Sequence, residues 1–483
     1  MAEPIRRTHR VGLPHVSTLY AHPHAHTKTL RQESMPETID LVIPNVVEFN
    51  QKRQLLEFDP GVERDLVEHG TGLTDQCVFW STGNRVLVLP AGYSTEWLAD
   101  VHTGLGSTVA PVVSPTPRTG RLVHDLLNDD RALAALHTAT SGSRVVRFLS
   151  FGASPELYAL AALLRSQGRD VRLDVAEPQH YWSCEYLESK LSCVDLASHI
   201  PGFRVPRGIS VASWEQLEGA VTAVVGRGGR AVVKSMYGVG GYGSAVARPD
   251  ADGTLRRFWQ SLRRDPFFGT FPLTVQDYIE HAADCPAVDV LVGGGEQPRM
   301  EYSMLGVDGL RYRSLALGPG VVDPDVEERL SALGRAVHIF AESLGYRGWL
   351  TIDCLLGVDG ELYVTEINAR RSGAMHAVAL AERWADHTPV AYTHDAMPLR
   401  LTGTASYTAH VRPVFEELWA RGIRAYPSTV RALAGHRPSL GIVVCATNAA
   451  EGERIAEEAH RAVNAAVAGD DAASAKPTVG SRA

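Results

Sequence analysis

The sequence has few of the features that mark membrane, secreted or nucleic-acid-binding proteins. None of its 483 residues form an apolar run of about 18, so we expect no membrane span. Its six cysteines form no CxxC pair and are too sparse for a disulfide scaffold, which favours reduced, mostly buried thiols. A net charge of -8 argues against a nucleic-acid partner. The first residues, MAEPIRRTHR, lack a signal-peptide core, and we expect a cytoplasmic protein.

The composition is that of an ordinary globular protein, with 45% hydrophobic and 21% charged residues. At about 100–200 residues per domain, the length predicts two to four domains. We predict a flexible arm at 1–36, an α/β domain at 37–185, a second domain at 186–395, a small α+β domain at 396–468 and a disordered tail at 469–483. His22, His24 and His26 alternate in the arm, but no cysteine or carboxylate cluster accompanies them, so a flexible arm is favoured over a metal site.

Strands alternate with helices in the first domain. Ile39–Asn45, Arg85–Leu89 and Arg144–Ser150 are predicted strands, and Pro155–Gln167 is a predicted helix. This alternation is typical of a parallel sheet with helices on its faces. Phe151–Ser154 follows a strand at the edge where ligands usually bind, although a plain turn explains it equally well.

One helix of the second domain is well specified. Asp323 is a candidate N-cap, Pro324 stands at the first helical position, and apolar residues recur from Val326 to Leu344 in steps of four and three. Gly345 is placed to end the helix. The apolar stripe indicates core packing and no cofactor site.

The third domain is predicted to be a small α+β unit. Its expected elements are strands near Ser406–Val411 and Leu440–Ala446 and a helix from about Ala449 to Val467. The segment from Gly469 onward is small and polar, which is typical of disorder.

A glycine-rich loop follows an apolar strand in VVKSMYGVGGYGS, residues 232–244. Its glycines would let backbone N–H groups approach phosphate oxygens, and Lys234 adds a positive charge. The loop does not end in the GK[ST] of a Walker A motif. A strand follows it where a dinucleotide-binding fingerprint needs a helix. Taken alone, the loop fits a glycine hairpin as well as it fits a phosphate site.

The segment LTIDCLLGVDGELYVTEINARR, residues 350–371, predicts two strands joined by an Asp-Gly turn. Glu366 and Asn368 are two residues apart and share a face, and Asp353 lies across the hairpin. Three oxygen ligands on one face suit Mg²⁺. The neighbouring residues are apolar, so these carboxylates would be costly to bury without a cation. Arg370 is two residues beyond Asn368, so its side chain is predicted to point to the same face.

These residues together resemble the ATP-grasp superfamily over about 186–395. The resemblance rests on Lys234 with its glycine loop, the VQDYIE segment at 275–280, and the D…ExNxR pattern from Asp353 to Arg370. It implies a nucleotide bound between two small α+β subdomains. It also implies ATP and Mg²⁺ as cofactors, with Mn²⁺ as a substitute metal.

The resemblance assigns nucleotide-binding roles by position. Phosphate-contacting residues would be Lys190, Lys234, Gly238, Gly240 and Gly241. Adenine would lie against the hinge formed by Gln276, Tyr278 and Ile279, partly through backbone groups. Glu280 or Asp284 would bind the ribose, and the motif does not choose between them.

It also assigns the chemistry. The metal ligands would be Asp353, Glu366 and Asn368, and Arg370 would stabilise the acyl phosphate and the tetrahedral intermediate. Some ATP-grasp ligases have an arginine two residues before the first metal carboxylate, where this chain has Thr351. That role must then fall to Arg370, Arg371 or Arg313. Arg371, Ser372 and His376 could hold a substrate carboxylate or phosphate, although His376 could equally begin a packed helix.

The flanking segments are similar to a group of ATP-grasp ligases with a Rossmann-like pre-ATP-grasp domain and a small C-terminal domain, among them the peptide ligase of pheganomycin biosynthesis. This resemblance implies an enzyme of natural product biosynthesis. It would join a carboxylic acid donor, an amino acid that often bears an amidino group, to an amino acid or peptide acceptor. Analogy also suggests a homodimer. A carboxylate–thiol ligase and a non-catalytic ATP-binding regulatory module are the alternatives.

Overall fold

The structure is a computed structural model that describes residues 38–50, 60–236, 238, 241–281, 284–295, 297–385, 388–400 and 405–474. The predicted arm at 1–36, with its three histidines, lies outside the described residues. So does the end of the predicted tail, 475–483. Residues 38–474 belong to one compact unit.

The first domain contains a parallel sheet, as the alternation of strands and helices predicts. Its strands are β1 (Thr38–Ile43), β2 (Arg85–Val88), β3 (Val112–Val113), β4 (Val145–Ser150) and β5 (Asp170–Arg172), in the order β3-β2-β1-β4-β5. The helices are α1 (Val46–Asn50), α2 (Pro60–Gly72), α3 (Thr95–Leu105), α4 (Leu122–Leu127), α5 (Asp130–Thr140) and α6 (Pro155–Ser166). β1 is buried beyond its first residue, as expected for a strand covered on both faces.

A small antiparallel sheet follows. Its strands are β6 (Gly208–Val211), β7 (Ala231–Ser235), β8 (Ser244–Ala247) and β9 (Leu273–Asp277), in the order β6-β9-β7-β8. The helices of this part are α7 (Tyr181–Glu188), α8 (Ser192–His199), α9 (Trp214–Gly226) and α10 (Arg256–Leu262). β7 carries Lys234, and the glycine-rich loop joins β7 to β8.

An eight-stranded sheet forms the centre of the molecule. Its strands are β10 (Asp284–Val292), β11 (Arg299–Asp308), β12 (Arg311–Leu317), β13 (Gly348–Leu356), β14 (Leu362–Asn368), β15 (Val390–Pro398), β16 (Arg424–Thr429) and β17 (Ser439–Ala446). Their order is β14-β13-β10-β11-β12-β15-β17-β16. The helices are α11 (Pro324–Ser343), α12 (Met375–Arg383), α13 (Arg412–Ala420) and α14 (Ala449–Ser474). β15 spans the predicted domain boundary, and β16 and β17 extend the same sheet.

The predicted helix after Asp323 is confirmed, because the Asp323 side chain accepts a hydrogen bond from the Asp325 N–H and Gly345 follows with a φ of +75°. The strand predicted near Ser406–Val411 is wrong. Residues Tyr407–Val411 form a helical turn that Ser406 caps, and their buried side chains recur at helical spacing. α14 continues to Ser474, into the segment predicted to be disordered. Among the described residues, no helix is both long and apolar enough to cross a membrane.

Candidate active site

The hairpin of β13 and β14 brings the predicted metal ligands together. In its register Asp353 lies opposite Glu366, and Gly360 takes the left-handed conformation at the turn with a φ of +78°. The Asn368 amide donates to Asp353 Oδ2 over 2.9 Å, and Arg370 Nη2 donates to Asn368 Oδ1 over 3.0 Å. The structure therefore joins Asp353, Asn368 and Arg370 in one hydrogen-bonded chain and places Glu366 opposite Asp353.

Two lysines from separate elements converge on β14. Lys190 follows α7, is buried, and forms an ion pair with Glu366, with 2.5 Å between Nζ and Oε2. Its N–H donates to the carbonyl of Met236, which ties the segment after α7 to the segment after β7. Lys234 Nζ donates to the carbonyl oxygen of Thr365 over 2.9 Å. Both predicted phosphate-binding lysines thus lie beside the predicted metal ligands.

The electrostatics of this cluster fit a bound cation. Burial alone would raise the pKa of Glu366, but the nearby Lys190 and Lys234 outweigh it and hold that pKa lowered to about 2. Burial, together with the negative charge of Glu366, raises the pKa of Asp353 to about 8. Two facing carboxylates repel each other when both are ionised, and a bound divalent ion would offset that repulsion. No set of three or more His, Cys, Asp or Glu side chains in the described residues could hold a metal. Mg²⁺ here would therefore take two carboxylates, the Asn368 amide, phosphate and water.

A cavity of about 530 Å³ contains this cluster. Both sheets contribute to its lining, with Lys234 and Gln276 from the small sheet and Asp353 and Glu366 from the large one. Tyr278, Ile279, Lys190, Gly241, Asn368 and Arg370 line it as well. Most of the predicted nucleotide, metal and catalytic residues therefore surround one space.

Gly238, in the glycine loop, lies beside Lys190. A Cβ at Gly238 would run into the carbonyl oxygen of Tyr242 and lie 3.1 Å from Lys190 Nζ. Gly241 has a φ of +91°, a conformation that favours glycine. Gly240 lies outside the described residues.

The predicted adenine and ribose residues differ in their surroundings. The Tyr278 N–H donates to the carbonyl of Arg230 over 2.8 Å, and Tyr278 and Ile279 line the cavity. The Glu280 side chain is exposed, pairs with Arg230 and does not line the cavity, which weighs against a ribose role. The side chain of Asp284 lies outside the described residues. Asp277 and His281, which the sequence reasoning missed, do line the cavity.

The two arginines after β14 have different surroundings. Arg370 lines the cavity, with its guanidinium 5.1 Å from the ring centre of Phe151. Arg371 instead forms a largely buried ion pair with Asp174, 2.8 Å from Nη2 to Oδ2, and Nε donates to the Ser150 carbonyl. It thereby fastens the end of β4 to the segment after β14. The catalytic role of Arg371 stays a prediction, and these contacts favour a structural role.

The contacts of His376 and Thr351 indicate the role of each side chain. His376 is buried in α12, where Nε2 lies 2.9 Å from the Thr393 hydroxyl and burial lowers its pKa to about 3. This is a packed histidine. Thr351, which stands where some relatives have arginine, donates its hydroxyl to Asp289 Oδ1 over 2.5 Å. Asp289 and Asp395 line the cavity and were missed, although an acid inside the apolar run AVDVLV was a usable signal for Asp289.

No protein-family model and no curated protein sequence matches the chain. Solved structures do. An N5-carboxyaminoimidazole ribonucleotide synthetase in complex with ADP aligns at 13% identity over 88% of this chain and 96% of that chain, with a TM-score of 0.51. The Aspergillus clavatus N5-carboxyaminoimidazole synthase, in complex with ADP and 5-aminoimidazole ribonucleotide, aligns at 10% identity over 88% and 98%, with a TM-score of 0.50. At these identities the likeness shows the fold, which is of the ATP-grasp class.

The chain has the ATP-grasp fold. Rhizobium etli pyruvate carboxylase aligns as well, at 14% identity over 88% of this chain and 37% of that chain, with a TM-score of 0.50. The predicted fold class, a parallel α/β sheet joined to an ATP-grasp centre and a small α+β part, is confirmed. In this ATP-grasp fold the candidate residues lie between the small sheet and the large one.

Proposed function

We propose that the protein is an ATP-dependent carboxylate–amine ligase that forms an amide through an acyl phosphate and releases ADP and phosphate. The observation that carries the proposal is the convergence of two lysines, two facing carboxylates, an amide and an arginine on one cavity of an ATP-grasp fold. The ADP present in the two synthetase structures supports a nucleotide at this position.

The chain's own residues account for phosphate binding. Lys190 and Lys234 would neutralise phosphate charge, and Gly238 would keep the loop close above Lys190. Asp353, Glu366 and Asn368 would hold Mg²⁺. When bound, Mg²⁺ would withdraw charge from the transferring phosphoryl group. Lys190 would then have a second function, because it also neutralises Glu366 when no metal is bound.

The reaction would run in two steps. A carboxylate oxygen attacks the γ-phosphorus and ADP leaves, which gives an acyl phosphate. The amine nitrogen then attacks the acyl carbon, loses a proton, and phosphate leaves with one oxygen of the original carboxylate. Arg370, whose Nε is buried without a partner in the described part of the chain, would stabilise the negative charge of both steps. Positioning and charge carry this chemistry, so a nucleophilic serine or cysteine is unnecessary, and all six thiols are buried.

We further propose the finer assignment that the sequence resemblance implies. The donor would be an amino acid, with amidino types included, and the acceptor would be an amino acid or peptide, in natural product biosynthesis. The 5-aminoimidazole ribonucleotide in one neighbouring structure supports an amine-bearing second substrate.

A phosphate-release screen tests the proposal. Purified protein, ATP and Mg²⁺ would be combined with amino acids, including amidino and guanidino types, and with peptide acceptors. We expect ADP and phosphate only when a carboxylate and an amine are both present, and an amide in the product mass. AMP and pyrophosphate would contradict the proposal, and a thioester product would favour transfer to a thiol. Full biological activity in Glu366→Gln would favour a non-catalytic nucleotide-binding module.

A further inference from the structure

The loop that follows β4 in the parallel sheet reaches the candidate active site. Phe151 is its first residue, is half-buried, and lines the cavity. The guanidinium of Arg370 lies over its ring, with 5.1 Å between Cζ and the ring centre. A cation within about 6 Å of the centre of an aromatic ring is attracted by the negative charge density of the ring face. The first domain therefore contacts the arginine on which the proposed reaction depends.

Asn45 fixes the backbone of this loop. Asn45 lies between β1 and α1 and is buried. Its Oδ1 accepts the N–H groups of Phe151 and Gly152 over 3.0 Å and 3.3 Å, and its Nδ2 donates to the Gly152 carbonyl over 2.7 Å. The rings of Phe49 and Phe151 meet edge to face, with 5.5 Å between their centres. Phe151 is thus held both by its backbone and by its ring.

The loop is also attached to the part of the chain that carries Arg370. The Arg371 N–H donates to the Phe151 carbonyl over 2.8 Å. A Cβ on Gly152 would lie 3.2 Å from the Cβ of Arg370 and would run into the ring of Phe49. A glycine at this position therefore lets the loop pack directly against the base of the Arg370 side chain.

An aromatic ring suits the role proposed for Arg370. The guanidinium donates from Nη1 to the Arg371 carbonyl and from Nη2 to Asn368 Oδ1, and Nε has no partner in the described part of the chain. A carboxylate partner would neutralise the guanidinium and would compete with a developing negative charge. The ring attracts the cation and leaves both its charge and its Nε–H available to the reacting groups.

We propose that Phe151 is a positioning residue, whose ring, fixed by Asn45, holds the Arg370 guanidinium where negative charge develops during phosphoryl and acyl transfer. The inference rests on the proposed ligase function and deepens it, because it gives the first domain a role in the chemistry. Loss of the ring would leave Arg370 in the cavity with fewer restraints. Small displacements of a catalytic group lower the rate of a reaction that depends on its position.

A double-mutant cycle tests the contact without any ligand. Urea unfolding is measured for the unmodified protein, Phe151→Leu, Arg370→Met and the double variant. We expect a favourable coupling between the two side chains that changes the unfolding equilibrium constant by about two- to fivefold. Phenylalanines with increasing ring fluorination, placed at position 151, nearly keep the shape of the ring and withdraw electron density from its face. They should weaken the coupling stepwise, whereas a purely steric contact would persist.

The second measurement is phosphate release with ATP, Mg²⁺ and the acid and amine that the screen described above selects. Phe151→Leu should lower kcat roughly tenfold and leave the affinity for ADP unchanged. In the Arg370→Met background the same change should have no further effect on kcat, because Phe151 acts through Arg370. Phe151→Tyr keeps the ring face and should retain most of kcat. Phe258→Leu, in α10, is the matched control and should keep full activity.

Three results would overturn the inference. They are a coupling that is absent or insensitive to fluorination, a loss of ADP affinity in Phe151→Leu, and an equal loss of kcat from Phe151→Leu with and without Arg370. Phosphate release that no pair of acid and amine stimulates would instead contradict the proposed function. The unfolding cycle needs no substrate and would still decide whether Phe151 holds Arg370, so the two failures are distinguishable.

Discussion

Replacement of Lys190 by methionine removes a cation and keeps most of the side-chain volume. Lys190 is about 7% exposed, and its Nζ lies 2.5 Å from Glu366 Oε2. Glu366 lies opposite Asp353 in the hairpin. Lys190→Met therefore leaves a buried carboxylate beside a second carboxylate, with Lys234 and Arg370 as the remaining nearby cations.

The expected loss of stability follows from this geometry. Loss of one partner of a buried ion pair costs about 3–5 kcal/mol. The Glu366 side chain is 25% exposed, so water recovers part of that loss, and we expect about 2–3 kcal/mol. The double variant Lys190→Met/Glu366→Gln should be more stable than Lys190→Met alone, because it also removes the negative charge of Glu366, which Lys190→Met leaves without its partner. Mg²⁺ should stabilise Lys190→Met more than the unmodified protein, because a divalent ion takes over the neutralisation of both carboxylates.

Four proteins are compared: the unmodified protein, Lys190→Met, Glu366→Gln and the double variant. Their urea unfolding, followed by circular dichroism with and without Mg²⁺, measures these differences in stability. Lys234→Met is the control, since Lys234 donates to a carbonyl oxygen and acts on Glu366 less strongly than Lys190 does. We expect it to cost less than Lys190→Met. The reasoning is refuted if Lys190→Met loses less than roughly 0.5 kcal/mol, or if the double variant is less stable than the single one.

Three further predictions concern other parts of the chain. Burial raises the pKa of Glu48 to about 7, so its folded state holds a proton that the unfolded chain releases near pH 4.5. The stability of the unmodified protein should therefore fall relative to Glu48→Gln as pH rises from about 4.5 to 7, by up to roughly 3 kcal/mol, and a flat difference in urea unfolding would contradict this. Arg370→Met should lower kcat by about 10²–10³-fold and retain nucleotide affinity. Arg371→Met should chiefly lower the free energy of unfolding, by about 3 kcal/mol. Phosphate release measures the first effect and urea titration the second, and the opposite pattern would reverse the roles assigned to the two arginines. Gly238→Ala should weaken ADP binding by about tenfold or more, because the added methyl group displaces the loop. Gly219→Ala is the control, since a Cβ at that position meets open space, and it should bind ADP normally. Equal ADP affinities of the two variants in calorimetry would show that the loop tolerates a side chain.

The sequence was sufficient for the elements with strong local signals. Asp323, Pro324 and Gly345 specify both ends of α11, and the Asp-Gly turn specifies the hairpin of β13 and β14. The prediction failed at Tyr407–Val411, where we expected a strand and the structure has a helical turn. The capping serine and buried residues at helical spacing were the better indicators.

The proximity of the predicted metal ligands could be foreseen because their spacing in the chain reflects their position in space. Asp353 and Glu366 face each other through hairpin register alone. The ion pair of Arg371 could not be predicted, because its partner Asp174 is remote in the sequence and the contact depends on packing between domains. Asp289 and Asp395 were missed for the same reason, since β10 and β15 are separated in the sheet by β11 and β12.

The transfer of carboxylate oxygen to phosphate tests the central claim most directly. The donor acid identified by the phosphate-release screen would be labelled with ¹⁸O in its carboxylate and incubated with ATP, Mg²⁺, the amine and the protein. Mass spectrometry of the released phosphate should show one ¹⁸O atom per phosphate, because that oxygen leaves with the phosphoryl group of the acyl phosphate. Unlabelled phosphate, or label found in AMP, would contradict the proposed activation of a carboxylate at this site.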